Sequence, residues 1–347
     1  MRYYRQSRLR SSRGHVRMTS PPPWATYGIW AVVAVVALVV VVLFISQVIA
    51  PAFKDKSHKY HNCTWLEFRW TSEPINPESI TGLARRLSEH QIDRVYVEGV
   101  AWLSDESLLY GEHGKEFAEA LRRVYPEVQI LLWLRMTGDQ IAEAERRDQV
   151  VQLARTSVHD WKFDGVQLNG FAVPTGSDSY VTLLRALRDA IGDKAILSAT
   201  VPPDRIPADP DVPVGTTVAP ELTWEVAYKQ RVGLLSLNEV VVMAHASGLT
   251  NPIEYEAWVA YQVESYVEAL AELERPPEII IALPTYDAAP EHDPAVEEVR
   301  AAARGVKTGI QRAGKRASLV RGAGLYEYKT TDSLEWQLFA EHWLGKR

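Results

Sequence analysis

Residues Phe163–Phe171 read FDGVQLNGF, and apolar residues alternate in this segment with small or polar ones, as in a β-strand. Successive side chains of a β-strand point to opposite faces, so Val166 and Leu168 share one face. Gln167 and Asn169 then share the other face. Polar side chains inside a protein are costly unless they are hydrogen-bonded. We therefore predict a buried strand whose apolar face packs under helices and whose polar face enters an interior network.

Runs of similar character recur along residues 54–347 and alternate with amphipathic helices. They begin near Cys63, Ile92, Val128, Phe163, Ala195, Asn238, Glu278 and Gly322. Successive runs start 29–44 residues apart, which is enough for one strand and one helix. Eight such units predict an α/β fold of the (β/α)₈, or TIM, barrel type. An open doubly wound sheet is the alternative, but no G-x-G-x-x-G motif follows any run.

Four predicted helices carry start signals. An Asn or Asp followed by Pro, which suits the N-cap and the first helical position, occurs at residues 76–77, 251–252 and 293–294. Asp332 and Glu335 have the spacing of a capping box. We expect helices to begin at these four places.

Charge divides the chain into two unequal parts. Residues 1–53 carry six arginines and no acid, so the overall charge of −6 leaves −12 on residues 54–347. An acidic domain of this size argues against nucleic-acid binding, because phosphate contacts need clustered positive charge. The single cysteine, Cys63, excludes an internal disulfide and a cysteine-based zinc site.

The N-terminal part predicts a membrane anchor. No charged residue lies between Arg17 and Lys54, and the middle of this interval is almost wholly apolar. About 20 apolar residues span a bilayer, which favours an uncleaved signal-anchor helix over a cleaved signal peptide. The arginines place the N-terminus in the cytoplasm. We predict a cytoplasmic basic tail (1–26), a transmembrane helix in the lipid bilayer (27–50), a linker (51–61) and an extracytoplasmic barrel (62–347).

Functional side chains of such barrels come from the C-terminal ends of the strands and the loops that follow. The residues at those positions are Trp70, Trp102, Arg135, Gln167, Asn169, Phe171, Met243, His245, Tyr286 and Tyr328. Aromatic rings among polar groups suit a sugar, because its apolar faces stack on rings while its hydroxyls need hydrogen bonds. Alternatively, some of these aromatic side chains only cap the barrel core.

Several segments resemble the glycoside hydrolase family 18 barrels, the chitinase-like group. The fourth strand of that family reads D-G-x-D-x-D-x-E, and Asp164 and Gly165 match its opening. Val240–His245, Leu283–Tyr286 and Gly324–Trp336 resemble the family's later strand ends. The resemblance covers nearly the whole predicted barrel and implies carbohydrate binding. It implies that the last glutamate of the motif is the acid that protonates the leaving oxygen.

The departures from this pattern bear directly on the implied mechanism. The two inner aspartates are replaced by Gln167 and Asn169, and the catalytic glutamate by Phe171. On the sixth strand the family's tyrosine and aspartate are replaced by His245 and Ala246. In this family the substrate's own N-acetyl group is the nucleophile, so the protein's acid is indispensable. We therefore expect a glycan-binding barrel that lacks the family's hydrolytic mechanism.

Two other functions remain open. Glu98 and Glu327, at strand ends, could act as a replacement carboxylate pair in an active hydrolase, and Asp164 is a further acidic candidate. The alternative for each glutamate is a salt-bridged or solvated rim residue, for example one paired with Arg69 or Arg135. The barrel could also be a protein-interaction scaffold. No cofactor motif and no metal-ligand spacing is present, so we predict no cofactor and no metal.

Overall fold

The computed structural model describes residues 60–103, 107–205 and 223–346, which belong to one compact unit. Its strands are β1 (Asn62–Leu66), β2 (Ile92–Glu98), β3 (Val100–Trp102), β4 (Leu108–Tyr110), β5 (Gln129–Thr137), β6 (Gly165–Phe171), β7 (Ile196–Val201), β8 (Glu239–Met243), β9 (Glu278–Pro284) and β10 (Val320–Tyr326). Eight of them form a closed parallel barrel in the order β1-β10-β9-β8-β7-β6-β5-β2. The predicted (β/α)₈ barrel is confirmed.

Helices surround the barrel. They are α1 (Arg69–Ser72), α2 (Pro77–Glu89), α3 (Gly114–Val124), α4 (Gly138–Ala142), α5 (Ala144–His159), α6 (Asp178–Ile191), α7 (Val226–Gly233), α8 (Pro252–Leu270), α9 (Val299–Ala313) and α10 (Ser333–Leu338). A 3₁₀ helix (Gly314–Leu319) precedes β10 and a π turn (Phe339–Trp343) follows α10. Their apolar faces cover the outside of the strands, as the period of the sequence requires.

The apolar interior has two separate layers. Between barrel and helices lie the outward-facing side chains of the strands, Val166 and Leu168 among them. Inside the barrel a smaller cluster contains Trp65, Trp133 and Val241. The alternation predicted for β6 is therefore confirmed, because its apolar residues face the helices.

The N-terminal end of the barrel is filled by a buried polar cluster. Arg94 forms an ion pair with Glu239, and both side chains are at most 5% exposed. Tyr96 Oη donates to Glu239 Oε1 at 2.6 Å, and Arg94 also donates to Gln129 Oε1 at 2.8 Å. Several partners for each charge offset the desolvation that makes a buried ion pair expensive. This end of the barrel is packed, so any open site lies at the other end.

Three of the four predicted helix starts are confirmed. Asn76 and Asn251 cap α2 and α8, and Asp332 and Glu335 form the capping box of α10. The fourth prediction is wrong. Asp293 begins a turn in which its carbonyl accepts from the amides of residues 296 and 297, and α9 begins only at Val299.

The predicted tail (1–26) and membrane span (27–50) lie outside the described residues. Within residues 60–103, 107–205 and 223–346, no helix is both long and apolar enough to cross a bilayer.

Candidate functional site

The C-terminal ends of the barrel strands surround two adjoining cavities, which together we call the mouth. The larger cavity has a volume of about 580 Å³ and lies over β6 to β10. The smaller, of about 450 Å³, lies over β2 and β5 and is walled by Trp102 from the short β3–β4 hairpin. Arg135 and Phe171 line both cavities. A ligand that occupies both cavities must therefore cross these two side chains.

The floor of the larger cavity is built from amides on β6. Asn169 is 2% exposed, and its Oδ1 accepts a hydrogen bond from Thr200 Oγ1 at 2.9 Å. One layer deeper, Gln167 Oε1 accepts from Trp65 Nε1 at 2.7 Å. The amide nitrogens of Asn169 and Gln167 have no hydrogen-bond partner among the described residues. Gln167 and Asn169 thus both lie inside the barrel, as predicted, and each has an amide donor without a partner among the described residues.

Phe171, a residue that is 39% exposed, ends β6 at the point where the two cavities meet. Arg135, on the adjacent strand β5, places its guanidinium carbon 5.7 Å from the centre of that ring and 5.2 Å from that of Trp133. Arg135 is paired in register with Asn169. The alternation of β5 explains the arrangement, because Trp133 and Arg135 fall on the inward face. A cation packed on two aromatic rings is held in place while part of it stays open.

Two glutamates flank Arg135. Its Nη1 lies 3.5 Å from Glu98 Oε1. Burial raises the pKa of Glu98, Arg135 opposes this rise, and the charge of Glu327 adds to it. Burial also raises the pKa of Glu327, against the opposing effect of Arg135. Glu327 lines the larger cavity, and no basic group of the described residues lies within ion-pair distance of it. Glu98 is thus paired with an arginine, whereas Glu327 is half-buried without an ion pair among the described residues.

His245 stands on the opposite wall of the larger cavity. Its Nδ1 is 2.9 Å from the hydroxyl of Tyr286, and its ring stacks on Tyr326 at 5.3 Å and 13°. Burial lowers the pKa of His245 to about 4, so the imidazole is neutral near pH 7. In the part of the chain that the structure describes, its Nε2 has no hydrogen-bond partner. This side chain is a hydrogen-bonded part of the wall.

Behind this wall lies a buried pair, Glu297 and His292, which we call the brace and which the sequence did not predict. Glu297, 1% exposed, accepts from the amides of Ala246 (2.9 Å) and Ser247 (2.6 Å) and pairs with His292 Nδ1 at 2.6 Å. His292 Nε2 is 3.0 Å from the carbonyl oxygen of Tyr286. Burial alone would raise the pKa of Glu297, but hydrogen bonds from His292 and Ser247 outweigh it and lower that pKa. The brace ties together the two loops that carry His245 and Tyr286.

The remaining candidates are spread between the mouth and other parts of the barrel. Trp102 lines the smaller cavity and donates to the carbonyl of Arg135 at 2.7 Å; Met243 and Tyr286 line the larger. Trp70 is 7% exposed and packs edge-on against Tyr328 at 6.4 Å, outside the lining of both cavities.

Asp164 is excluded from the mouth, because it precedes β6 at the opposite end of the barrel. There its carboxylate accepts from Arg122 at 2.6 Å and from the amide of Ile130 at 2.7 Å. Asp164 therefore stabilises the start of β6, and it lies too far from the mouth to act there as a catalytic acid. Among the residues described, no group of three or more His, Cys, Asp or Glu side chains is placed to hold a metal ion.

Solved structures of other proteins share the fold of this chain, whereas comparison of sequences finds no match. No protein-family model and no curated protein matches this sequence. The spore cortex-lytic enzyme SleL of Bacillus megaterium QM B1551 aligns at 13% identity with a TM-score of 0.52, covering 82% of this chain and 74% of that one. A family 18 N-acetylglucosaminidase from Paenibacillus barengoltzii aligns at 14% identity with a TM-score of 0.52, covering 82% of this chain and 99% of that one. A family 18 chitinase from Cycas revoluta, solved with allosamidin, aligns at 14% identity with a TM-score of 0.53, covering 81% of this chain and 99% of that one. The chain has the barrel fold of glycoside hydrolase family 18.

Proposed function

We propose that the mouth of this barrel binds a glycan of the cell envelope or the extracellular space and does not hydrolyse it by the family 18 mechanism. The observation that carries the proposal is Phe171, an open aromatic ring at a strand end, with a cavity on either side and Arg135 packed against it. Sugar rings stack on such faces. The similar barrels include an N-acetylglucosaminidase and a chitinase solved with allosamidin, which supports a carbohydrate ligand.

The chemistry of the β6 end argues against substrate-assisted hydrolysis. The resemblance assigns the general acid to the position of Phe171, and a phenyl ring has no proton to donate. Asn169 and Gln167 are neutral amides, and His245 is neutral near pH 7 because burial lowers its pKa to about 4. A positioned general acid contributes roughly 10²–10⁴ in rate. The expected rate on chitin-type substrates is therefore indistinguishable from background.

The test is a screen of residues 54–347 against a glycan array, with product analysis on every glycan bound. We expect binding without cleavage, and a loss of affinity of at least tenfold in Phe171→Ala. Leu234→Ala is the matched control, because Leu234 is also an exposed apolar residue (64%) but follows α7, away from the mouth. Unchanged affinity in Phe171→Ala would contradict the proposal. Failure to bind any glycan would overturn it.

One observation favours a second candidate, a hydrolase that uses replaced carboxylates. Burial raises the pKa of both Glu98 and Glu327, and the charge of Glu327 raises that of Glu98 further. A raised pKa suits a carboxyl group to donate a proton near neutral pH. In this case wild-type protein would cleave its glycan, and Glu98→Gln or Glu327→Gln would abolish cleavage. Glu264→Gln, at an exposed ion pair with Arg312, is the control.

We further propose that residues 27–50 anchor the barrel in a membrane with the N-terminus in the cytoplasm. Its support is the charge-free interval between Arg17 and Lys54 and the six arginines that precede it. Protease added to intact cells, or to spheroplasts where an outer membrane is present, should remove the barrel. Full protection of the barrel while the membrane is intact would contradict this topology.

A further inference from the structure

We infer that the mouth recognises a carboxylate group on its glycan, held between the Asn169 amide nitrogen and the Arg135 guanidinium. This inference rests on the proposed glycan binding and specifies the ligand as an acidic sugar. The chemistry is shared by two sources, a uronic acid and an amino sugar that carries an ether-linked lactyl group.

The first observation is the unused donor of Asn169. The side chain is 2% exposed and lines the larger cavity, and its Oδ1 is already engaged by Thr200 Oγ1 at 2.9 Å. Its Nδ2 has no partner among the described residues. A buried donor without an acceptor is costly, so the site is completed by a ligand that supplies an acceptor oxygen.

The second observation is the position of Arg135. Within the described chain it is the only Lys or Arg that lines either cavity, and it lines both. It stands beside Asn169 in the register of β5 and β6, on the same inward face. One carboxylate oxygen can therefore accept from Asn169 while the other accepts from the guanidinium. Planar guanidinium groups favour this kind of partner because their donors match the two oxygens of a carboxylate.

Arg135 keeps unused donors beside the two glutamates that flank it, since only Glu98 lies within ion-pair distance and Glu327 acts on it through its charge. Its contact with Glu98 is long at 3.5 Å, and its side chain is 45% exposed. The rings of Trp133 and Phe171 pack against it and do not accept ordinary hydrogen bonds. A guanidinium has five N–H donors, so it can serve Glu98 and a ligand carboxylate together.

The test compares acidic and neutral ligands of equal length by calorimetric titration. The acidic probes are a glucuronate-containing tetrasaccharide and an N-acetylmuramic acid-containing tetrasaccharide. Their methyl esters are the matched neutral forms, and tetra-N-acetylchitotetraose is a further neutral ligand. We expect at least one acid to bind tenfold or more tightly than its own ester. The acid that shows this preference identifies the source of the carboxylate.

Two variants test the residues named. Asn169→Asp keeps the size of the side chain but replaces the donor by a negative charge, and Arg135→Gln removes the positive charge. Each should lower the affinity for the acid at least tenfold more than the affinity for its ester. Arg312→Gln, which removes an arginine from an exposed ion pair with Glu264, should change neither affinity. Thermal melting of every variant verifies folding.

The outcomes separate this inference from the proposed function. Equal affinities for acids and esters in the wild type would overturn the carboxylate site and leave glycan binding standing. A preference for the acid that survives both variants would also overturn it, since the recognition would then lie elsewhere. Failure of every ligand, neutral or acidic, would contradict the proposed function itself.

Discussion

Replacing Glu297 by Gln should destabilise the barrel and loosen the wall of the larger cavity. The Glu297 carboxylate is 1% exposed and accepts hydrogen bonds from Ser247 N at 2.6 Å and Ala246 N at 2.9 Å, besides its 2.6 Å pair with His292. Glutamine keeps one acceptor oxygen but turns an N–H₂ group towards donors. It also leaves Ala246, in a left-handed conformation at φ 56°, with weaker support.

The size of the effect follows from these contacts. Hydrogen bonds to charged groups contribute about 1.5–3 kcal/mol each. Because glutamine retains one acceptor, we expect a loss of about 2–4 kcal/mol in the free energy of unfolding. Each kcal/mol shifts Tm by about 2–4 °C in a domain of roughly this size, so Tm should fall by about 4–16 °C.

The pH dependence of this difference has a definite sign. The pKa of Glu297 is lowered in the folded state, so its contribution is complete above the unfolded value of about 4.3 and is lost as pH falls through the folded value. The Tm difference between wild type and Glu297→Gln should therefore be full at pH 7 and shrink below about pH 4. Glu264→Gln, at an exposed ion pair, should change the unfolding free energy by no more than about 1 kcal/mol. A Glu297→Gln protein that melts within about 2 °C of wild type at pH 7 would contradict a stabilising role for the Glu297 carboxylate.

Three further predictions concern the β6 end, Glu98 and the base of the barrel. Phe171→Glu should not gain chitinase activity in a product assay, because Gln167 and Asn169 cannot supply the negative charges of the family motif. Clear activity would show that the missing acid is the only defect. Glu98→Gln should raise Tm at pH 7 and lose that gain near pH 4. The pKa of Glu98 is raised, so the folded state disfavours its ionised form, and glutamine removes this cost. A lower Tm at pH 7 would mean that the Arg135 contact outweighs burial. Arg94→Met should lower the free energy of unfolding by about 3–5 kcal/mol in urea titrations, because Glu239 is left buried without its cation. An unchanged free energy of unfolding would show that Tyr96 alone supports the carboxylate.

The barrel could be predicted from the sequence because its signals are local and repeated. The alternation of Val166 and Leu168 with Gln167 and Asn169 is a property of one strand, and the structure confirms which residues face inward. Caps at Asn76 and Asn251 involve only the following turn. The Asp293-Pro294 signal failed because residue 297 is recruited by a distant loop, so the chain turns before α9 begins.

The site was only partly predictable, because its shape depends on contacts between strands far apart in sequence. The sequence predicts Trp70, Trp102 and Tyr328 equally at strand ends, yet of these three only Trp102 lines either cavity of the mouth. The β3–β4 hairpin that positions Trp102 is too short to stand out as alternating runs. The pair of Glu297 and His292 gave no signal, because its partners at 246 and 247 lie about 50 residues away. Tyr326 could have been found, since Gly322, Gly324 and Tyr326 alternate on one face of β10.

The most direct test of the central claim is the mass of a glycan recovered after equilibrium binding to residues 54–347. The glycan is the best binder from the array, and it is eluted and measured by mass spectrometry after prolonged incubation at pH 7. The end of β6, which carries Phe171 and no carboxyl group, predicts that the glycan returns at its full length. Recovery of shortened products with wild-type protein, and of intact glycan with Glu98→Gln, would contradict the binding function and establish a hydrolase.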